Sequence, residues 1–324
     1  MTQLIRVYET GDKEVMKWES MELADPGHGE IQIAHTAIGL NFIDVYFRTG
    51  TYPAPLPFTP GLEAAGIVEK IGAGVEDLKV GDRVAYAATP LGAYAESRNI
   101  EAAKVVKIPD GVEDNTAAAM MLKGMTAQYL LRSTFEVKAG DTILFHAAAG
   151  GVGLIACQWA KHLGATVIGT VGSKEKAELA RQNGCDHPII YTQENFVEKV
   201  QEITDGKGVP VVYDSVGQST FMSSLDCLQP RGAMVLFGQS SGKVEPFDVS
   251  LLSAKGSLYL TRPTLFHYTA TRPELVASAN ELFDVVASGA VNVSVNQEYA
   301  LSNAIGAHCD LENRQTTGSS VLIP

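Results

Sequence analysis

Cysteine, basic charge and long apolar runs are all scarce in this chain. Its four cysteines (Cys157, Cys185, Cys227 and Cys309) fall in the second half of 324 residues. They are too widely spaced for a CxxC metal site or a disulfide framework, and they read as buried structural thiols. Lys and Arg number 25 against 37 Asp and Glu, giving a net charge of −12. Phosphate backbones and anionic membrane surfaces repel such a chain, so neither nucleic acid nor membrane is an expected partner. No apolar run approaches the roughly 18 residues of a membrane helix. Met1 to Tyr8 carries no apolar signal core, so the expected location is the cytoplasm. Length alone favours about two domains.

What is present is organised around Asp141 to Ser173. Thr142 to Ala147 is a short apolar run suited to a buried parallel strand. Ala148 to Gly153 follows as AAGGVG, after which Val152, Ile155, Ala156, Trp159, Ala160 and Leu163 recur at the spacing of one helix face. Gly164 stops that helix, and Thr166 to Val171 reads as the next strand. Strand, glycine turn, helix and strand in that order are the setting a dinucleotide fingerprint requires. Gly150 lets backbone approach a pyrophosphate, Gly151 and Val152 offer helix N-terminal amides, and Gly153 permits close helix–strand packing. The motif is AxGxxG, because Ala148 stands where a first glycine is usual.

The corner after the second strand bears on which dinucleotide. An NAD site usually carries an acid there for the ribose 2′-hydroxyl. Here Gly172 and Ser173 are followed by Lys174 and Lys176, with Glu175 placed as a first-turn residue behind a Ser173 N-cap. Read as ligands, Ser173 and Lys176 favour the 2′-phosphate of NADPH; read as structure, the lysines begin a solvated helix. NADPH is the expected cofactor.

Residues 1 to about 100 show short alternating segments punctuated by Gly and Pro, a β-rich module. From Asp141 to about Pro263 strands and helices alternate, which implies a doubly wound parallel α/β sheet with ligand at the carboxyl ends of its strands. Tyr191, Ser215, Phe237, Gly238 and Ser240 stand at or just past such ends. Arg272 to Pro324 reads as helix, strand, helix and a final strand packing back on the first module. The expected division is 1–125, 126–263 and a return segment 264–324.

Gly140, Asp141, Leu144, Ala148 to Gly151, Gly153, Gln158 and Lys161 together resemble the fingerprint of quinone oxidoreductases, the zeta-crystallin branch of medium-chain dehydrogenases/reductases. Asn41 to Tyr46, Gly61 to Gly66, Lys123 to Thr126, Asp214 to Gly217, Thr261 to Pro263 and the tail through Gly318 extend the resemblance over nearly the whole chain. It implies a split GroES-like catalytic domain around a Rossmann domain, usually as a homodimer. It also implies reduction of quinones by electron or hydride transfer from NADPH in an interdomain cleft. Zinc enzymes of the same superfamily place Cys near Asn41 and His at the position of Leu62. Neither ligand is here, and an Asn amide is a poor one; zinc and flavin are not expected.

By the same resemblance Asn41, Phe42 and Tyr46 line the nicotinamide end, with Tyr52 as a nearby wall. The Asn41 amide and the Tyr46 or Tyr52 hydroxyl can donate to a quinone oxygen, although both tyrosines can equally serve as packing. Lys123 and Thr126 resemble residues near the nicotinamide ribose, and Arg262 and Arg314 resemble positions facing the cofactor, Arg314 being otherwise a surface residue. Asp44 and Glu63 read as structural partners, and His146 as a packed core histidine. Two other functions compete. An NADPH-dependent enone or 2-alkenal reductase would share the same cofactor apparatus. A crystallin-like or RNA-binding protein would need no turnover, and the acidic charge speaks against RNA.

Overall fold

The computed structural model describes residues 1–324. The chain begins with β1 (Thr2–Val7), β2 (Met16–Met21), β3 (Glu30–Leu40), α1 (Phe42–Arg48), β4 (Glu63–Ile71), β5 (Arg83–Ala87), β6 (Ser97–Glu101), β7 (Val106–Lys107) and α2 (Asp114–Tyr129). It continues with β8 (Thr142–Phe145), α3 (Gly151–His162), β9 (Thr166–Val171), α4 (Lys174–Gln182), β10 (His187–Ile190), α5 (Phe196–Ile203) and β11 (Val209–Asp214). After these come α6 (Phe221–Leu225), β12 (Leu228–Leu236), α7 (Ser250–Ala254), β13 (Tyr259–Thr261) and α8 (Leu265–Tyr268). The last stretch is α9 (Arg272–Ala287), β14 (Val295–Ala300), α10 (Ala304–Glu312) and β15 (Ser319–Ile323). Two compact units result. Met1–Lys123, Thr269–Ala287 and Val293–Pro324 form one, Gly124–Tyr268 and Ser288–Asn292 the other.

The first unit holds a sheet in the order β14-β15-β3-β4-β5-β7, with β6 also paired to β3. β3 is its spine, antiparallel to β4, β6 and β15. Ile31, Ile33 and Ile38 of β3 pack with Val68, Val84 and Tyr86, and Leu301, Ala304 and Leu322 from the return segment complete the same core. The β-rich first module and its completion by the chain's last strand thus follow the sequence expectation.

The second unit holds six parallel strands in the order β10-β9-β8-β11-β12-β13. Leu144, Ile168, Ile189, Val212 and Met234, one from each of five strands, share one core with Val200 and Phe221. Strands covered by helices on both faces must be apolar almost throughout, which is why Ile143–Phe145 of β8 is a continuous apolar run and β9 admits only threonine among polar residues. The order reverses at β8, whose neighbours are β9 and β11. A ligand crevice opens at such a reversal, outside the carboxyl ends of the strands. The turns at Ala147–Gly150 and Ser215–Gly217 stand there. No helix is long and apolar enough to cross a membrane.

Boundaries moved where the signal was tertiary. The stretch from Thr116 to Arg132, which reads as one helix in the sequence, begins at Asp114 and gives way to a π-helical turn over Leu130–Thr134. Ser219 to Leu228 reads as helix and Ala233 to Phe237 as strand, but β12 already starts at Leu228, because that residue pairs with Val209 in β11. Cys157, Cys185 and Cys227 are buried, whereas Cys309 on α10 is only partly so, a correction to the expectation of four buried thiols.

Candidate functional site

In the second unit Gly150 is the N-cap of α3 and itself exposed. The first bond of the helix runs from the Leu154 N–H to the Gly150 carbonyl, so the amides of Gly151, Val152 and Gly153 precede the intrahelical ladder. Gly153 lies against the carbonyls of Ala147 and Ala148, with no room for a methyl group. The unusual Ala148 has a local explanation. A Cβ on Gly169 of β9 would lie 2.6 Å from the Ala148 methyl, so the space Ala148 takes is left open by Gly169. The turn also holds Ala147 at φ 55°, a left-handed conformation that the sequence did not announce.

At the end of β9 Ser173 caps α4 by accepting from the Lys176 amide at 3.3 Å. Its hydroxyl and the helix-start position of Glu175 hold that carboxylate below its usual range. Glu175 therefore belongs to the helix start, and the half-buried Lys176 side chain has no ion pair. Beside them, a Cβ on Gly172 would lie 3.0 Å from the Tyr191 hydroxyl; Tyr191 itself is 48 % exposed. The strand ends thus offer a basic, uncompensated corner with an aromatic neighbour.

At the end of β11 Asp214 is buried and accepts from the amides of Val216 and Gly217 and the hydroxyl of Thr220 at 2.7, 3.0 and 2.7 Å. That carboxylate shapes the turn bearing Ser215. Ser215 in turn takes the Ser240 amide on its carbonyl at 3.1 Å, while Gly238 lies so close that a Cβ would be 2.5 Å from the same oxygen. Phe237 packs on Phe145 with ring centroids 5.7 Å apart. His146 is fully buried, its ring between the Thr170 and Ser224 hydroxyls at 2.8 and 2.9 Å, and burial lowers its pKa. Arg262 donates to the Leu236 carbonyl at 3.1 Å. Thr126 is half-buried on α2 three residues beyond Lys123. A dinucleotide fits these residues: an open helix N-terminus for phosphates, glycine-lined backbone for close approach, and a cationic corner for a 2′-phosphate.

In the first unit a buried polar group surrounds Glu63. Its Oε1 accepts from Asn41 Nδ2 at 2.7 Å and from Lys123 Nζ at 3.1 Å, and its Oε2 accepts the Leu122 amide at 2.6 Å. Lys123 also donates to the Leu40 carbonyl at 3.1 Å. One amide hydrogen of Asn41 is therefore engaged by a carboxylate rather than left for a ligand. Phe42, Tyr46 and Tyr52 form a half-buried aromatic group, with centroids 5.3 Å apart for Phe42 and Tyr46 and 5.1 Å for Tyr46 and Tyr52. Arg314 lies in the same unit in the turn after α10, exposed and at φ 59°.

In sequence Glu63 reads only as a structural partner, whereas in the fold it is the hub of this polar group. A signal existed in Gly39, whose missing side chain leaves space that Glu63 and the Ala118 carbonyl occupy; a glycine inside a strand marks such an approach. Leu62, fully buried and apolar, offers no metal ligand. No group of three or more His, Cys, Asp or Glu side chains is arranged to hold a metal ion.

Two family models match, one described as alcohol dehydrogenase GroES-like domain over residues 27–110 and one as zinc-binding dehydrogenase over 151–283. The chain is 53 % identical to a quinone oxidoreductase of Pseudomonas aeruginosa, all of both chains being covered. It superposes on the crystal structure of Escherichia coli quinone oxidoreductase complexed with NADPH with a TM-score of 0.98, at 52 % identity and full coverage of both. A 2-haloacrylate reductase from a Burkholderia species is 48 % identical over 98 % of each chain.

Proposed function

The chain belongs to the quinone oxidoreductase family of medium-chain dehydrogenases/reductases, and from that membership we propose that it reduces quinones with NADPH, using neither zinc nor flavin. The observation that carries the cofactor half is the corner after β9, where Gly172 lies against the Tyr191 hydroxyl, Ser173 caps α4 and the Lys176 side chain has no ion pair. When bound, NADPH supplies the reducing hydride or electrons from its nicotinamide. Gly150, Gly151 and Val152 hold its pyrophosphate, Gly172, Ser173, Lys176 and Tyr191 its adenosine end, and Ser215, Phe237, Gly238, Ser240 and Arg262 the backbone-lined stretch between. Lys123, Thr126 and Arg314 belong to the same reading as cofactor contacts.

Asn41, Tyr46 and Tyr52 are the residues proposed beside the substrate, with Phe42 completing the aromatic wall. The rings suit a flat acceptor, and the Tyr46 or Tyr52 hydroxyl can donate to a quinone oxygen. Asn41 and Lys123, drawn together by Glu63, give that end a fixed polar edge. A quinone already accepts electrons readily, so positioning supplies most of what the reaction needs.

The 2-haloacrylate reductase relative favours one second reading, reduction of an activated C=C bond with the same cofactor. Loss of NADPH absorbance with a 1,4-quinone, measured beside 2-chloroacrylate and a simple enone, separates the two. Fast turnover with the quinone alone supports the proposal; turnover confined to the alkenes would move the substrate to the second reading. A cytoplasmic homodimer belongs to the same proposal. The edge strand β13 supports the dimer, for Tyr259 and Leu260 are 67 % and 37 % exposed there and one side of the strand has no partner. Sedimentation at the mass of a single chain would refute it.

A further inference from the structure

A line of buried hydrogen bonds joins the return helix α10 to the start of α1. Arg48 of α1 makes two bonds to Glu312, from Nη1 to Oε2 at 2.9 Å and from Nη2 to Oε1 at 2.8 Å. Its Nη1 also stands 3.2 Å from His308 Nδ1. An arginine has only donors, so Nδ1 accepts and the ring proton sits on Nε2. Nε2 then donates to the Tyr94 oxygen at 3.0 Å, and the Tyr94 hydroxyl donates to Asp44 Oδ2 at 3.0 Å. The same Oδ2 accepts the Asn41 backbone N–H at 2.9 Å. Asp44, Tyr94 and His308 are 0 % exposed and Arg48 1 %.

From the Arg48–His308 bond inward every donor points toward Asp44, and each role follows from the one before it. The line cannot carry a proton inward from Glu312, because Arg48 neither accepts nor gives up a proton. It can orient. Asp44 Oδ1 has no hydrogen-bond partner, so the carboxylate is held through Oδ2 by Tyr94 on one side and the Asn41 amide on the other. Asn41 is the N-cap of α1 and passes that orientation on, through its side chain, to Glu63 and Lys123.

We propose that Tyr94, His308 and Arg48 are positioning residues, which act through Asp44 to fix the Asn41 end of the substrate site from the return segment. This rests on the reading that Asn41 stands beside the substrate. The protonation states agree with it. Burial, with the Arg48 charge beside it, lowers His308 to about 3, so the ring stays neutral with its single proton on Nε2. Burial raises the Tyr94 hydroxyl well above its usual value, the Asp44 charge adding to the effect, so it remains a donor. Asp44 itself rises to about 7 through burial, opposed by its bonds to Asn41 and Tyr94 and by Lys123, and reinforced by Glu63.

Four variants test the proposal with NADPH and a saturating 1,4-quinone: Asn41→Ala, Tyr94→Phe, His308→Gln and His308→Leu. Gln can accept from Arg48 through its oxygen and donate to Tyr94 through its nitrogen; Leu does neither. The expected result is about a tenfold fall in kcat for Tyr94→Phe, the effect of one lost hydrogen bond, and a fall at least as large for His308→Leu, which loses two. His308→Gln should keep kcat within about twofold of the parent, and the NADPH dissociation constant of the folded variants, read from nicotinamide fluorescence, should stay unchanged. Adding Tyr94→Phe to Asn41→Ala should cost nothing further if Tyr94 acts through Asn41. A full additional loss in that double variant overturns the proposal, as does a His308→Gln variant as slow as His308→Leu. If Asn41→Ala itself leaves kcat intact, the reading of Asn41 fails first. If Asn41→Ala is slow and Tyr94→Phe is not, that reading stands and the positioning line falls. Should His308→Leu fail to fold, Tyr94→Phe and His308→Gln decide alone.

Discussion

Lys176 has no ion-pair partner. Its backbone is committed to the Ser173 cap while its side chain has no carboxylate partner. A charge-assisted bond to a 2′-phosphate contributes about 1.5–3 kcal/mol, which sets the expected outcome for Lys176→Ala. The KM for NADPH should rise about ten- to a hundredfold and that for NADH should not move, as steady-state kinetics with both cofactors would read. An equal change in both would remove Lys176 from the phosphate site. This corner was readable in the sequence because every part of it is local: a strand end, a cap and one helical turn. The partners of Asn41 were not. Glu63 lies 22 residues away, and His308 reaches Tyr94 across 214 positions, separations at which spacing carries no information.

The glycine turn is a matter of how closely one helix approaches two strands. Ala148 is tolerated because Gly169 opposite has no side chain, and a Cβ at 169 would also come within 2.6 Å of Cys185 Sγ. Gly169→Val should therefore destabilise the second unit by about 1–3 kcal/mol and weaken NADPH binding, both seen as a lower denaturation midpoint with and without cofactor. Ala148→Gly in the same chain should recover part of that loss; no recovery would mean the Cys185 contact dominates. The elements themselves were largely readable, since α3 carries helical periodicity and β8 and β9 are short, mostly apolar segments on either side of it. The failures came where a partner decides. The start of β12 depends on β11, and the π-helical turn after α2 has no local marker.

At the scale of the molecule, three buried neutral histidines oppose acidification. His35 donates from Nδ1 to the Ala95 carbonyl and accepts the Tyr86 hydroxyl, and burial lowers it to about 4; His308 falls to about 3, and His146 is lowered too. An unfolded histidine takes up a proton as the pH falls through about 6.5, whereas these folded ones do not, so stability is lost between that pH and about 4. Asp44 acts in the opposite sense, since its folded value of about 7 exceeds the unfolded 3.8 and its contribution is lost as pH rises. Three against one leaves a net loss on acidification. Urea midpoints from pH 6.5 to 4.5 should fall, and His35→Gln should flatten the slope by about 1.4 kcal/mol per pH unit. A variant slope equal to the parent's would mean His35 titrates normally. The alternation of strands and helices was readable from the chain, but the return of Ser288–Asn292 to the second unit was not, because it depends on Gln158 bonding both the amide and the carbonyl of Asn292.

The seating of β15 beside β3 has a consequence for synthesis. Ser320, Val321 and Leu322 pair with Leu40, Gly39 and Ile38, so the strand leading directly to Asn41 keeps a bare edge until β15, some 280 residues later, has been made. By then Gly124–Tyr268, continuous in the chain, has everything it needs to form its sheet. The nascent protein thus carries a parallel-sheet unit able to fold while the first unit must wait, and for that interval the exposed edge of β3 is open to misassembly.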